Sequence, residues 1–375
     1  MEYGQPLTKE ERTALEKEIA SLELEIAQDQ STSNNQGNPP IKGKSKVDLS
    51  EVLGVKDNKQ EDKAPIFFTP MQIKSVKRDP SQVVTSGIEI LDKRIIGFNL
   101  GELSVWSGSN GSGKSSVLSQ LAIESINNGH KVALFSGELR EDRVLGWLQQ
   151  QTAGKKNTKA TKYENYYIVP EDIKNKINAW LEGKLYIYNN QKSTKVEEVL
   201  KAIDNCIVEH GIKVVIIDNL MSLDLNSING EKYDRQTNLV IALSQLAKKR
   251  NVVIHFVAHP RKAMGFLRKT DISGTADITN LADNVFIVHR VSTDFKRAIK
   301  EYLGIKDDNA LLNYSNVIEI CKNRDLGISD EFIGLYFEKE SKRFLNFKEE
   351  TKYYKWECDK DGFIKCSDGQ LPFMI

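Results

Sequence analysis

The sequence predicts an α/β fold with a mainly parallel sheet, on three observations. From about residue 83 onward, short apolar runs alternate with segments of helical period. One run, Val214-Val215-Ile216-Ile217, is continuously β-branched, as expected for a strand buried on both faces. A glycine-rich turn, Gly108-Ser109-Asn110-Gly111-Ser112-Gly113-Lys114-Ser115, lies between an apolar run and an amphipathic segment.

The elements follow in order. Ile88, Leu91 and Ile95 suggest a helix ending near Gly97. Residues 103–107 form an apolar strand, and 114–127 carry helical periodicity through Val117, Leu118, Leu121 and Ile126. A strand at 132–136 and a helix at 140–151 come next, then a polar, loop-rich stretch at 155–170. Residues 184–188 are a strand, 194–209 a helix, 214–217 the buried strand, 233–250 a helix and 252–258 a strand. Further strands are expected at 284–289 and 317–321. The mixed aromatic and charged residues from 331 to 375 suit closing strands and a tail.

Before this domain lies an extension with a different texture. Thr8 and Glu11 form a capping-box pattern, and Leu15, Ile19, Leu22 and Ile26 make one apolar stripe on a helix over 8–27. Residues 28–46 read as a flexible linker and 47–55 as a second short helix. The expected organisation is an N-terminal extension at 1–82, a nucleotide-binding domain at 83–347 and a tail at 348–375.

Composition excludes several classes. At 375 residues, 39% hydrophobic and 28% charged, the chain is an ordinary globular sequence. A net charge of +1 gives no bulk signal for nucleic acid, so a basic surface would have to be local. Cys206, Cys321, Cys358 and Cys366 form no CxxC pair, so a zinc site is not expected. Scattered thiols fit a reducing cytoplasm. No apolar run reaches the length of a membrane span, and the charged N-terminus is unlike a secretory signal.

The glycine-rich turn carries the chemistry. Gly108, Gly113, Lys114 and Ser115 match the G-x-x-x-x-G-K-[ST] pattern. In that pattern backbone N–H groups cradle phosphate oxygens at a helix N-terminus. Gly108, Ser109, Asn110, Gly111, Ser112, Gly113, Lys114, Ser115 and Ser116 are therefore the candidate triphosphate-binding residues. Lys114 would reach the β- and γ-phosphates, and the Ser115 hydroxyl would ligate Mg²⁺. Asp218 ends the buried strand and is the second candidate metal ligand. Glu138, just past the strand at 132–136, is the candidate base for an attacking water. His259 follows the strand at 252–258 and is a candidate γ-phosphate contact. Lys322 and Arg324, two apart at the end of a strand, point to one side and could meet phosphate charge in the transition state.

Taken together, these pieces resemble the DnaB-like hexameric replicative helicases, in particular the helicase domains of Twinkle and of phage primase–helicases. The likeness rests on Gly101-Glu102-Leu103, the glycine-rich turn, Phe135-Ser136-Gly137-Glu138-Leu139, Asp218-Asn219-Leu220-Met221, His259-Pro260-Arg261-Lys262, Ala282-Asp283-Asn284-Val285 and Lys322-Asn323-Arg324. It implies a RecA-like core, an NTP-dependent helicase using ATP or another NTP or dNTP with Mg²⁺, and hydrolysis at the interfaces of a homo-oligomeric, hexameric ring. Glu138 matches the family's catalytic carboxylate, Asp218 its metal-site aspartate, His259 its γ-phosphate sensor and Arg324 its arginine finger, with Lys322 beside it. The family's loops for single-stranded DNA correspond to 222–236 and 261–276, where this chain carries Lys232, Arg235, Arg261, Lys262, Arg268 and Lys269. A primase zinc ribbon has no counterpart in the cysteine pattern, so priming is expected from a protein in trans or from sequence absent here. A recombinase-like or KaiC-like ATPase, and a non-enzymatic DNA-binding loader, remain alternatives.

Overall fold

The computed structural model describes residues 67–72, 83–219, 222–228, 231–260, 266–272 and 276–358, all within the unit Lys46–Ile375. The expected helices at 8–27 and 47–55, the linker at 28–46 and the tail beyond 358 lie outside the described residues.

The chain enters through β1 (Val83–Val84), α1 (Glu89–Ile95) and β2 (Phe98–Asn99). It then alternates through β3 (Leu103–Ser107), α2 (Lys114–Asn127), β4 (Val132–Ser136) and α3 (Glu141–Ala153). A small hairpin, β5 (Lys159–Ala160) and β6 (Tyr167–Ile168), occupies the stretch expected to be loop-rich. Next come α4 (Glu171–Leu181), β7 (Leu185–Ile187), α5 (Val196–His210), β8 (Val214–Asp218), α6 (Lys232–Arg250) and β9 (Val253–Val257). The chain closes with α7 (Ala276–Leu281), β10 (Asn284–Arg290), α8 (Thr293–Leu303), β11 (Asn316–Asn323), β12 (Glu331–Glu338) and β13 (Arg343–Leu345).

The main sheet has the order β13-β12-β11-β10-β3-β9-β8-β4-β7. Strands β10, β3, β9, β8, β4 and β7 are parallel to one another, and β11, β12 and β13 add an antiparallel flank beyond β10. The expectation of a mainly parallel sheet therefore holds, with the closing strands at its edge.

Strand β8 shows how the core is divided. Its side chains alternate across the sheet, as the period of a strand requires. Val215 and Ile217 join the apolar cluster that takes in α5 and α6. Val214 and Ile216 join the cluster with α1, α2, α3 and α4. Both clusters exclude water, which is why the run contains no polar residue until Asp218. Helices α4 and α8 go beyond the sequence reading. Each presents a narrow apolar strip, with only Ile177 and Leu181 buried on α4 and only Phe295 and Ile299 on α8. No helix among the described residues is long and apolar enough to cross a membrane.

The first residues of the expected tail are packed. The Tyr354 side chain is fully buried, with the Arg343 guanidinium 4.8 Å from its ring centroid. Lys355 N donates to Asn127 Oδ1 at 2.9 Å, and Trp356 Nε1 donates to the Thr152 carbonyl at 3.1 Å. The packed body thus continues past 347 to residue 358.

Candidate active site

In a parallel sheet the strand C-termini share one edge, and ligands bind in the crevice there. That rule assembles the site. Strand β3 leads into the glycine-rich turn and α2, β4 into Glu138, β8 into Asp218, and β9 into His259. The turn depends on backbone conformations that side chains disfavour. Gly113 has φ 102°, and a Cβ there would lie 2.6 Å from Phe344 Cζ.

Lys114 is folded back over the turn. Its Nζ donates to the carbonyls of Gly108 at 2.8 Å and Ser109 at 3.0 Å. Burial lowers its pKa, opposed by the carboxylates of Asp218 and Glu138. The Ser115 hydroxyl donates to Asp218 Oδ2 at 2.6 Å. Burial raises the Asp218 pKa, and the Ser115 hydrogen bond offsets part of that rise. A hydroxyl and a carboxylate in contact are hard oxygen donors that fit Mg²⁺, which takes few protein ligands and completes its shell with water and phosphate.

Glu138 and His259 meet beside this pair. Their Oε1 and Nε2 atoms are 3.1 Å apart. Between them lies Asn219, whose Nδ2 donates to Glu138 Oε1 and sits 2.7 Å from His259 Nε2. The two arrangements are alternatives. A protonated Nε2 donates to Glu138, whereas an unprotonated one accepts from Asn219. The Glu138 loop is itself held, since Asn190 Nδ2 donates to the carbonyls of Ser136 at 2.7 Å and Leu139 at 2.8 Å. Asn219 itself is buried, whereas the Glu138 side chain is half exposed to the crevice.

Lys114, Ser115, Glu138, Asp218 and His259 line a cavity of about 730 Å³ together with Trp147, Arg290, Phe337, Lys339 and Phe344. Its size and its mixture of polar, cationic and aromatic groups suit a nucleotide. Sequence reasoning missed Asn219, Arg290 and these aromatic residues as site components. Arg290 could have been found, because it ends a strand parallel to β3 just as Asp218 ends β8. The residues on β12 and β13 carry no such signal, since only the antiparallel pairing brings them to the crevice.

Lys322 and Arg324 are not in this cavity. Strand β11 runs antiparallel, so its C-terminal end lies at the opposite edge of the sheet from the glycine-rich turn. Asn323 pairs with Asn284, which pairs in turn with Ser104 near the start of β3. The two cations do share one side, as their spacing predicts, and both cap the C-terminal end of α7. Lys322 Nζ donates to the carbonyls of Thr279, Asn280 and Ala282 at 3.0, 2.9 and 2.8 Å. Arg324 donates to Asp283 Oδ1 and the Asn280 carbonyl, each at 2.7 Å. Positive charge is favoured at such a helix end.

The candidate DNA-binding cations are scattered in status. The Arg268 guanidinium lies 4.1 Å from the Tyr302 ring centroid and donates to its hydroxyl at 3.1 Å. Arg235 donates to Asn226 Oδ1 at 3.0 Å. Lys269 opens a single 3₁₀ turn, Lys269–Asp271. Arg261, Lys262 and the Lys232 side chain lie outside the described residues.

Comparison with known proteins places this geometry. Residues 83–346 match the model of the DnaB-like helicase C-terminal domain. Over 203 residues the chain is 26% identical to the Twinkle homolog protein, chloroplastic/mitochondrial, of Arabidopsis thaliana, a match covering 51% of this chain and 28% of that protein. The solved ATPase domain of G40P shares the fold with a TM-score of 0.54 at 18% identity, covering 71% of this chain and 91% of that one. A DnaB-like replicative helicase, whose structure was described together with its interactions with primase, gives a TM-score of 0.55 at 17% identity, covering 71% of this chain and 62% of the other. The chain thus spans less than a third of the Twinkle homologue's length. With a RecA-like core and a family match over well more than half its residues, the chain belongs to the DnaB-like helicase C-terminal domain family.

Proposed function

We propose that this chain is the motor of an NTP-dependent DNA helicase of replication, which unwinds duplex DNA by translocating 5′-to-3′ on a single strand as a homo-oligomeric, hexameric ring. The observation that carries this reading is the separation of its parts. Lys114, Ser115, Glu138, Asp218 and His259 converge at one edge of the sheet, while Lys322 and Arg324 project from the opposite edge. A strand cannot bend back across the sheet, so Arg324 serves the nucleotide of an adjacent copy.

Each residue then has a role. The glycine-rich turn and Lys114 hold the triphosphate, Lys114 exchanging its bonds with the Gly108 and Ser109 carbonyls for phosphate oxygens. Ser115 and Asp218 would hold Mg²⁺, which when bound would supply charge neutralisation at the phosphates. Glu138 orients the attacking water and accepts its proton. His259, tied to Glu138 through Asn219, senses the γ-phosphate. Arg324 of the partner subunit leaves its place on α7 to neutralise the transition state, with Lys322 of the partner subunit beside it. Trp147, Phe337 and Arg290 line the same cavity and are there to contact the rest of the nucleotide. Single-stranded DNA runs past Lys232, Arg235, Arg261, Lys262, Arg268 and Lys269, which follow its phosphates without reading bases. A primase acts in trans or from sequence outside this chain, and the protein works in the cytoplasm of a bacterium or a phage-infected cell.

The test is unwinding and hydrolysis on forked DNA with a 5′ or a 3′ tail, using wild type, Arg324→Ala, Glu138→Ala and a mixture of the two variants. Each variant alone is expected to bind nucleotide and hydrolyse poorly, while mixed rings regain activity at interfaces that join an intact carboxylate to an intact finger. Absence of rescue in verified mixed rings, or filaments in place of rings on DNA, would refute the reading.

A further inference from the structure

The segment 266–272 falls within one of the two stretches expected to meet DNA, and its contacts lead back to the nucleotide cavity. Phe266 stacks on His289, with ring centroids 4.9 Å apart and planes at 21°. It also meets the rings of Phe295 at 5.8 Å, Tyr302 at 5.2 Å and Phe332 at 6.2 Å. Arg268 clamps the same patch from outside by lying over Tyr302. Underneath, His289 Nε2 is 3.0 Å from Glu319 Oε2, and both side chains are only 4% exposed. A buried, paired ring of this kind moves as one body with its strand, because a shift relative to Glu319 would strip a buried polar partner.

His289 is the penultimate residue of β10, and the next residue is Arg290, which lines the nucleotide cavity. The other limb of the segment is tied close to the same cavity. Ile272 pairs with Pro260, which follows His259. The segment is therefore anchored at two points, each one peptide bond from a side chain of the nucleotide site.

We propose that Phe266 is a positioning residue that couples segment 266–272 to the nucleotide cavity through His289 and Arg290, alongside the link through His259 and Pro260. The proposal rests on the helicase reading above. A nucleotide that draws Arg290 toward it moves the end of β10 and the His289 platform, and the stacked Phe266 carries that displacement into the segment. The mechanism needs tight packing, because a packed aromatic contact transmits small shifts that a loose one absorbs. Phe266 touches neither nucleotide nor reacting atoms, so its loss leaves the chemistry intact and weakens only the communication.

The experiment measures the dissociation constant for a fluorescent oligo-dT strand by the assembled protein, once with ADP and once with a non-hydrolysable ATP analogue, alongside hydrolysis without DNA. In wild type the two constants are expected to differ by the ~5–150-fold typical of coupled sites. In Phe266→Ala that ratio is expected to fall toward one, with DNA-free hydrolysis unchanged. Phe266→Tyr, which retains the stacked ring, should restore the ratio. A Phe266→Ala protein that binds DNA more weakly in both states but keeps the wild-type ratio overturns the proposal, since that is the signature of a loosened loop without coupling. A wild type with no DNA-stimulated hydrolysis and no nucleotide dependence overturns the helicase reading, and the proposal with it.

Discussion

Gly137 offers the sharpest test of how the Glu138 carboxylate, the proposed base, is held. It precedes Glu138 and lies against the loop that follows β8. Its N–H donates to the Asp218 carbonyl at 2.7 Å, and Ser222 Oγ donates to the Asn219 carbonyl at 2.6 Å. A Cβ added at 137 would lie 1.8 Å from Ser222 Oγ and 2.1 Å from Ser222 Cβ. No rotamer of alanine avoids this, because Cβ is fixed by the backbone. In Gly137→Ala the two loops must part, at a cost of about 1–3 kcal/mol for overpacking. Their separation pulls Glu138 from Asn219 and His259, and a displacement near ~1 Å lowers kcat by about a hundredfold. Ser222→Gly removes both clashing atoms and leaves Phe135 Cε1 at 3.4 Å, an ordinary contact. Alone it forfeits one hydrogen bond, worth about 1 kcal/mol. The double variant should therefore be more active and more stable than Gly137→Ala, with a coupling of about 1–3 kcal/mol in thermal or urea unfolding. Wild-type turnover and melting in Gly137→Ala, or no relief from Ser222→Gly in a folded double variant, would show that this close approach does not position Glu138.

Other outcomes follow from the same geometry. Lys114→Ala should abolish steady-state NTP hydrolysis, and wild-type turnover in that variant would remove the phosphate-site assignment. Asn219→Ala should lower kcat by about ten- to a hundredfold, less than the full loss of a general base, while nucleotide affinity holds. An unchanged kcat there would dissociate Asn219 from catalysis. His255, fully buried on β9, accepts a hydrogen bond from Trp106 Nε1 at 3.2 Å, and burial lowers its pKa from 6.5 to about 3. Above about pH 8 both folded and unfolded states hold it neutral, so it contributes no slope there. Below pH 6.5 the unfolded chain takes up a proton that the folded chain refuses, and stability falls by up to about 1.4 kcal/mol per pH unit until pH approaches 3. Urea unfolding of His255→Phe across that window should show a shallower loss on acidification than wild type, and identical slopes would refute the assignment.

What the sequence made legible follows from strand direction. Asp218 and His259 were found because each ends an apolar run, and in a parallel sheet all such ends lie at one edge. The same logic covers Arg290, yet the run at 284–289 looks no different if its strand is reversed. Lys322 and Arg324 show the converse. Their spacing gave the correct shared side, but not that β11 is antiparallel, so the edge they occupy became known only from the pairing of Asn323 with Asn284. Asn219 carried no signal, because an asparagine after a strand is most often a turn residue. Residues 351–358 looked like a polar tail because the burial of Tyr354 depends on Arg343 and Lys352, cations that lie over its ring face and are exposed in most proteins.

The reversal of β11 has a consequence for assembly. A protomer with its nucleotide crevice on one edge of the sheet and the proposed finger, Arg324, on the other is a plug joined to a socket. Two such copies cannot satisfy both through a two-fold axis, since that axis presents the same face of each copy to the other and plug and socket lie on opposite edges. If Arg324 serves a neighbouring copy as proposed, association is head-to-tail, and the same interface repeats without limit unless rotation brings the last copy to the first. A turn of about 60° per copy with no translation closes six, and a small added rise yields a helix. Whether such copies form a closed ring or an open spiral is then set by the angle and the rise at one repeated joint.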